Sequence, residues 1–130
     1  MKMAQDMTTV FDQVNAVAYA YCTALNEADG DTLDALCHDR FLMTWVKDDG
    51  TPRFLNKEKF VGGIRTLEAD KDALSCEVIS VDVEGTDIAH VKLWVDMPPR
   101  RYMDYLGFFR VEGEWRLITK LFRVAKGPEL

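Results

Sequence analysis

Apolar residues recur at Val10, Val14, Val17, Tyr21 and Leu25, with Phe11, Ala18 and Cys22 beside them. That spacing follows the period of about 3.6 residues of a helix with one buried face. Thr8 or Thr9 offers a cap oxygen at its start, and Ala28-Asp29-Gly30 ends it. A short second helix is predicted over Thr32–Cys37, capped by Asp31 and burying Leu33 and Leu36. Phe41–Val46 has the character of a strand, and Asp48-Asp49-Gly50-Thr51-Pro52 that of a turn. Leu55 before a capping Asn56, with Phe60 following, makes a hydrophobic staple that opens a third helix through about Thr66. Gly62 and Gly63 each weaken that helix by about 1 kcal/mol relative to alanine, so packing must hold it.

From Leu74 onward the period changes to two. Ile79, Val81 and Val83 alternate with Ser80, Asp82 and Glu84, Gly85-Thr86-Asp87 turns the chain, and Ala89, Val91, Leu93 and Val95 alternate with His90, Lys92, Trp94 and Asp96. Met97-Pro98-Pro99-Arg100 separates this strand from a final hairpin, Arg101 to Val124, that turns at Glu112-Gly113. The order helix, helix, strand, helix, then four strands predicts an α+β fold: three N-terminal helices on one face of a curved, mainly antiparallel sheet. Curvature would leave a cone-shaped hollow between the two layers.

At 130 residues and 48% hydrophobic, the chain suits one domain over 1–130, with an ordered core from about 8 to 126. A net charge of -6 argues against a nucleic-acid partner, since neutralising phosphates needs a basic surface. The N-terminus MKMAQDMTTV lacks the apolar segment of a secretory signal, and no stretch approaches the roughly 20 apolar residues of a membrane span. A cytoplasmic location is the expectation. Cys22, Cys37 and Cys76 are odd in number, widely spaced and without a C-x-x-C pair, so buried thiols are expected rather than a disulfide framework or zinc site. Two distant histidines, His38 and His90, give no metal-ligand spacing, and no cofactor is signalled. His38 would satisfy carbonyls at the end of the second helix, and Asp48-Asp49 would be a solvated turn.

The first helix ends in Tyr21-Cys22-Thr23-Ala24-Leu25-Asn26-Glu27-Ala28-Asp29. The last hairpin contains Asp104-Tyr105-Leu106, Arg110-Val111-Glu112-Gly113-Glu114-Trp115-Arg116-Leu117 and Lys120-Leu121-Phe122. Together with the element order, these phrases resemble the NTF2-like (cystatin-like) superfamily, and within it the small SnoaL-like and lumazine-binding-type domains. The resemblance spans nearly the whole chain and implies the cone fold. It does not imply one activity, because the superfamily holds isomerases, dehydratases, cyclases, transport adaptors and binders. Ketosteroid isomerases of this superfamily need a helix tyrosine, a carboxylate base and a protonated acid. By the resemblance, Tyr21 stands at the tyrosine position, Trp45 where the base should be and Gly107 where the second acid should be. Two of three groups are missing, which argues against steroid isomerisation by that mechanism.

If Gly107 faces the hollow, alternation also sends Met103, Tyr105 and Phe109 inward, and on the last strand Ile118, Lys120 and Phe122. With Tyr21 and Trp45 they form a mostly aromatic wall carrying one ammonium and two phenols, suited to a flat, partly polar organic ligand. Lys120 and Tyr21 are the candidate catalytic groups. A lysine in an apolar cavity loses basicity and becomes a donor, a proton-transfer group or a nucleophile; alternatively it pairs with a carboxylate such as Asp104. Asp104 itself alternates away from this wall. Trp94 and His90 fall on the outer sheet face, which points to a homodimer through that face. Two readings follow: a small-molecule-binding domain with lyase or isomerase chemistry, or a non-catalytic interaction or dimerisation module whose cone is filled by its own side chains.

Overall fold

The computed structural model describes residues 2–69 and 75–130. Leu74, where the alternation was expected to begin, lies outside them. The elements are α1 (Lys2–Asn26), α2 (Gly30–Leu36), β1 (Cys37–Val46), β2 (Pro52–Asn56), α3 (Lys57–Arg65), β3 (Ser75–Glu84), β4 (Ile88–Met97), β5 (Arg100–Val111) and β6 (Glu114–Lys126). The α1 backbone is helical well before Thr8 and Thr9, as suits a run of helix formers with no breaker. It ends where Ala28 takes a positive φ of 53°, with Asp29 N–H donating to the Ala24 carbonyl and Ala28 N–H to that of Leu25. This pattern closes a helix with a left-handed residue. The cap of α2 is Asp29 rather than Asp31: its carboxylate accepts from Thr32 N–H at 3.0 Å and from the Thr32 hydroxyl at 2.6 Å. Asn56 caps α3 by accepting from Lys59 N–H, and α3 buries Phe60, Val61 and Ile64 while Gly62 and Gly63 face solvent.

The six strands form one mixed sheet in the order β2-β1-β6-β5-β4-β3. All neighbours are antiparallel except β1 and β6, which run parallel. Two features depart from the sequence reading. First, β2 is a strand where a turn and helix approach were expected; Pro52 is its first residue, where a missing N–H costs least. Second, β1 starts at Cys37, so His38 and Asp39 belong to a strand, not to a helix end. The His38 Nδ1 accepts from Arg40 N–H, and its ring packs edge-on to Phe109. Of the three helices, α2 has only 7 residues.

The helices cover one sheet face. Val14, Ala18, Tyr21 and Leu25 of α1 and Phe60 of α3 are buried with Met43, Val91, Leu93, Leu106, Phe108, Leu117 and Phe122 of the sheet. A register shift in β6 sets which hairpin side chains join them. Phe108 pairs with Leu117 but Gly107 pairs with Thr119, leaving Ile118 as an extra residue. Trp115 and Leu117 point into the core before this bulge, and Lys120 and Phe122 after it.

Cys22 of α1 and Cys76 of β3 are joined by a disulfide, and Cys37 is a buried free thiol. This corrects the expectation of three thiols, which rested on spacing in the chain: the partners lie 54 residues apart and meet only because α1 packs along the edge strand. Closing a loop of that length stabilises by about 4 kcal/mol in the chain-entropy account. We therefore expect the denatured, unreduced protein to titrate one thiol per chain, and reduction to lower unfolding free energy by about 2–4 kcal/mol in urea melts. Three titrating thiols and a melt indifferent to reductant would show that this bond does not form.

Candidate functional site

The inner face of the sheet holds two buried ionisable groups beneath the helices. Asp104 on β5 is 0% exposed and Lys120 on β6 is 7% exposed. The Tyr21 hydroxyl, delivered by α1, donates to Asp104 Oδ2 at 2.7 Å, and Lys120 Nζ lies 4.0 Å from the same oxygen. Around the amine stand the rings of Phe60, Phe122 and Tyr21, with centroids 4.8, 5.1 and 5.4 Å away. Phe122 continues the aromatic wall to Trp45 on β1 and Tyr102 on β5, at ring separations of 5.1 and 5.5 Å.

Of the residues assigned to the wall from the sequence, Tyr21, Lys120, Phe122 and Trp45 meet on this face. Tyr105 and Phe109 do not. Along β5 the buried residues are Asp104, Leu106 and Phe108, so Met103, Tyr105, Gly107 and Phe109 take the opposite parity. Tyr105 is 38% exposed and stacks on His90 of the outer face. Gly107 also lies outside the cone, where Thr119 Oγ1 occupies the space a β-carbon would need. Ile118 is only partly buried, as the bulge residue. Both parities of Met103–Phe109 carry large apolar side chains, so alternation alone could not choose between them. Alternation phased on an inward Gly107 puts Asp104 off the wall; its one legible signal is a carboxylate placed in phase with Leu106 and Phe108. In the sequence Phe60 is marked by its helix staple; its place beside Lys120 emerges only in the fold.

Burial governs the chemistry of the triad. Desolvation pushes the Asp104 carboxyl above its ordinary range, while Lys120 and the Tyr21 hydroxyl pull it back down. Desolvation lowers the Lys120 amine, against the opposing pull of Asp104. Tyr21 is raised well above an ordinary phenol, first by burial and then by Asp104, so it remains a donor. Both shifts of the pair favour the uncharged carboxylic acid and amine. Cys37 nearby is pushed up to about 12 by burial and is an inert thiol at neutral pH.

Among the described residues, Asp104 Oδ1 and Trp45 Nε1 are buried at this wall with no hydrogen-bond partner. Such atoms cost about 1–3 kcal/mol each unless something pairs with them. Trp45 also borders a cavity of about 190 Å3 that is roofed by Gly127, Glu129 and Leu130. Arg100 holds this roof through the carbonyls of Pro128 and Glu129, and the Glu129 carboxylate accepts from Asp48 N–H. The larger groove, about 510 Å3 between α2, β1 and α3, is lined by Lys57 and its ion-pair partners Asp34 and Asp39. Among the described residues no cluster of three His, Cys, Asp or Glu side chains could hold a metal ion, and no helix is long and apolar enough to cross a membrane.

The pair makes stability depend on pH in a defined direction. Asp104 has a folded pKa above its unfolded value, so its contribution is complete below the unfolded pKa and is lost as pH rises through the folded one. Lys120→Met removes the opposing pull that Lys120 exerts on this rise. The variant should therefore lose stability more steeply than the parent as pH rises above the ordinary carboxylate range in urea melts. Parallel pH profiles for the two proteins would mean that Lys120 does not act on Asp104.

The fold and sequence have relatives. An NTF2-like protein from Silicibacter pomeroyi superposes with a TM-score of 0.83 at 20% identity, covering 91% of this chain and 98% of that one. A ketosteroid isomerase-like protein from Erwinia carotovora atroseptica gives 0.68 at 17%, covering 90% and 97%. A cystatin-like fold protein from Burkholderia xenovorans gives 0.67 at 17%, covering 92% and 95%. In sequence, the chain is 25% identical to Aldolase FrzH of Cladobotryum sp over 129 residues, 92% of this chain and 96% of that protein. The family model described as putative lumazine-binding matches residues 9–123, and by that match, on this NTF2-like cone, the chain belongs to the lumazine-binding-type family.

Proposed function

We propose that this protein binds a small, flat carbonyl compound in the cone and acts on it as a lyase or isomerase, by moving a proton next to the carbonyl. The observation that carries this reading is the Tyr21–Asp104–Lys120 chain, buried within an aromatic wall and with one carboxylate oxygen left open. Buried pairs whose ionisation is pushed toward neutrality are suited to acid and base work near neutral pH. Lys120 is the group that meets the carbonyl, Asp104 exchanges protons with the substrate, and Tyr21 holds Asp104 in place. Aldolase and isomerase reactions share an enol-type intermediate, so the names carried by the Cladobotryum relative and the Erwinia neighbour agree with this chemistry. The steroid-isomerase arrangement is not reproduced: a tryptophan stands at the base position, and the carboxylate that reaches the tyrosine is Asp104, three residues from the position the resemblance implied. The test is deuterium uptake at the α-carbon of 1-tetralone in heavy water, followed by NMR. We expect exchange at least about tenfold faster than with Lys120→Met, a loss typical of removing one proton-transfer group. Exchange no faster than in buffer, for 1-tetralone and for cyclohexanone, would remove the reading.

The outer face of the sheet supports a second copy as partner. Phe54, Leu121 and Tyr105 lie along one row that crosses β2, β1, β6 and β5, through the pairings Phe54–Thr44, Thr44–Leu121 and Leu121–Tyr105. Phe54 and Leu121 are 58% and 53% exposed. Trp94, the residue first expected to drive pairing, is partly buried beneath the Arg101 guanidinium at 4.0 Å, so the apolar centre lies nearer Leu121. A self-complementary apolar row across a sheet suits twofold association. Leu121→Asp should shift the protein from dimer to monomer in sedimentation velocity with little change in fold. A parent that sediments as a monomer, or a dimer that survives the substitution, would place no interface here.

A further inference from the structure

We propose that Lys120 works covalently: its neutral amine condenses with the carbonyl carbon of an aldehyde or ketone in the cone to form an iminium ion, with Asp104 supplying the proton. This rests on the proposed carbonyl chemistry and assigns its mechanism. The first support is the surroundings of Nζ. Among the described residues it makes no hydrogen bond; its neighbours are three ring faces and a carboxylate oxygen at 4.0 Å. The ring faces can hold a cation, but they leave an ammonium with only the Asp104 oxygen as a nearby acceptor for its three N–H groups, and burial lowers the amine's basicity. A planar, delocalised iminium keeps one N–H, which the Asp104 carboxylate can meet, and lies well between ring faces.

The second support is the division of labour on Asp104. Tyr21 occupies Oδ2, so the unpartnered Oδ1 is free to reach the reacting oxygen. The step balances within the site. The amine lone pair attacks the carbonyl carbon and the C–O π pair moves to oxygen. Nitrogen gives up one proton to that oxygen, Asp104 delivers a second, and water leaves as the C=N bond forms. A neutral acid and amine thus become a carboxylate and an iminium cation, with no change in the net charge of a buried site. Loss of an α-proton from the iminium then gives the enamine that lyase and isomerase reactions both use.

Trp45 lines the cavity beneath the Gly127–Leu130 segment, and its ring lies 5.1 Å from that of Phe122, which borders Lys120.

The test is borohydride trapping with 1-tetralone, the same ketone used for proton exchange. Hydride reduces an iminium to a stable secondary amine, so the full chain should gain the mass of the ketone less one oxygen. Peptide mapping should place it on Lys120, with at least tenfold less label in Lys120→Met and Lys120→Arg, both checked for a parental thermal melt. If exchange depends on Lys120 but label is absent, or is spread equally over other lysines in parent and variants, Lys120 acts only as a proton donor and the covalent proposal falls alone. If exchange is also absent, the carbonyl reading falls with it.

Discussion

The burial of a carboxyl and an amine side by side constrains everything else in this cone. Two separated charges in an apolar interior would be untenable, and a pair at 4.0 Å still bears the cost of desolvation. The structure answers by giving Asp104 a phenolic donor from α1, by surrounding Lys120 with ring faces, and by shifting both groups toward neutrality. Helix and sheet are therefore coupled through polar atoms as well as apolar packing. Tyr21 can reach Asp104 only while α1 lies across β5.

That coupling places demands on the frame. The Cys22–Cys76 bond ties α1 to the edge strand β3 at the residue next to Tyr21. The Trp115 indole donates to Gln13 of the same helix at 3.0 Å. A disulfide at one edge and a hydrogen bond from β6 thus fix the helix whose hydroxyl orders the site. At the far side, α3 brings Phe60 to Lys120 and stacks it on Phe41.

The bulge at Ile118 has as much influence on the site as any residue within it. Without an extra residue there, one strand register would have to place Leu117 and Lys120 on opposite faces, since they are three positions apart. With it, both point inward, and the apolar packing of Trp115 and Leu117 coexists with an amine in the cone. Gly107 opposite the bulge accommodates Thr119, which explains why that strand position carries no side chain and no acid.

Periodicity in the chain was enough for the layers: α1, α3, and the four strands β3 to β6 follow from spacing because each must present one apolar face, and the Asn56 cap and the Glu112-Gly113 turn follow from local hydrogen bonding and φ preference. Tyr21 and Lys120 were legible as unusual, one polar tip and one charge in apolar company. Their partner was not, because residues 103–109 carry large apolar side chains on both faces and a period of two has little internal evidence of its phase. Phase depends on pairing between β5 and β6, and pairing on a bulge that no single strand encodes. The disulfide has the same origin, since cysteines 54 residues apart meet only through packing of α1 on β3. Local physics in the sequence thus determined which elements form and which residues are strange. Only the tertiary structure, through register and long-range contact, decided that Asp104 joins Tyr21 and Lys120.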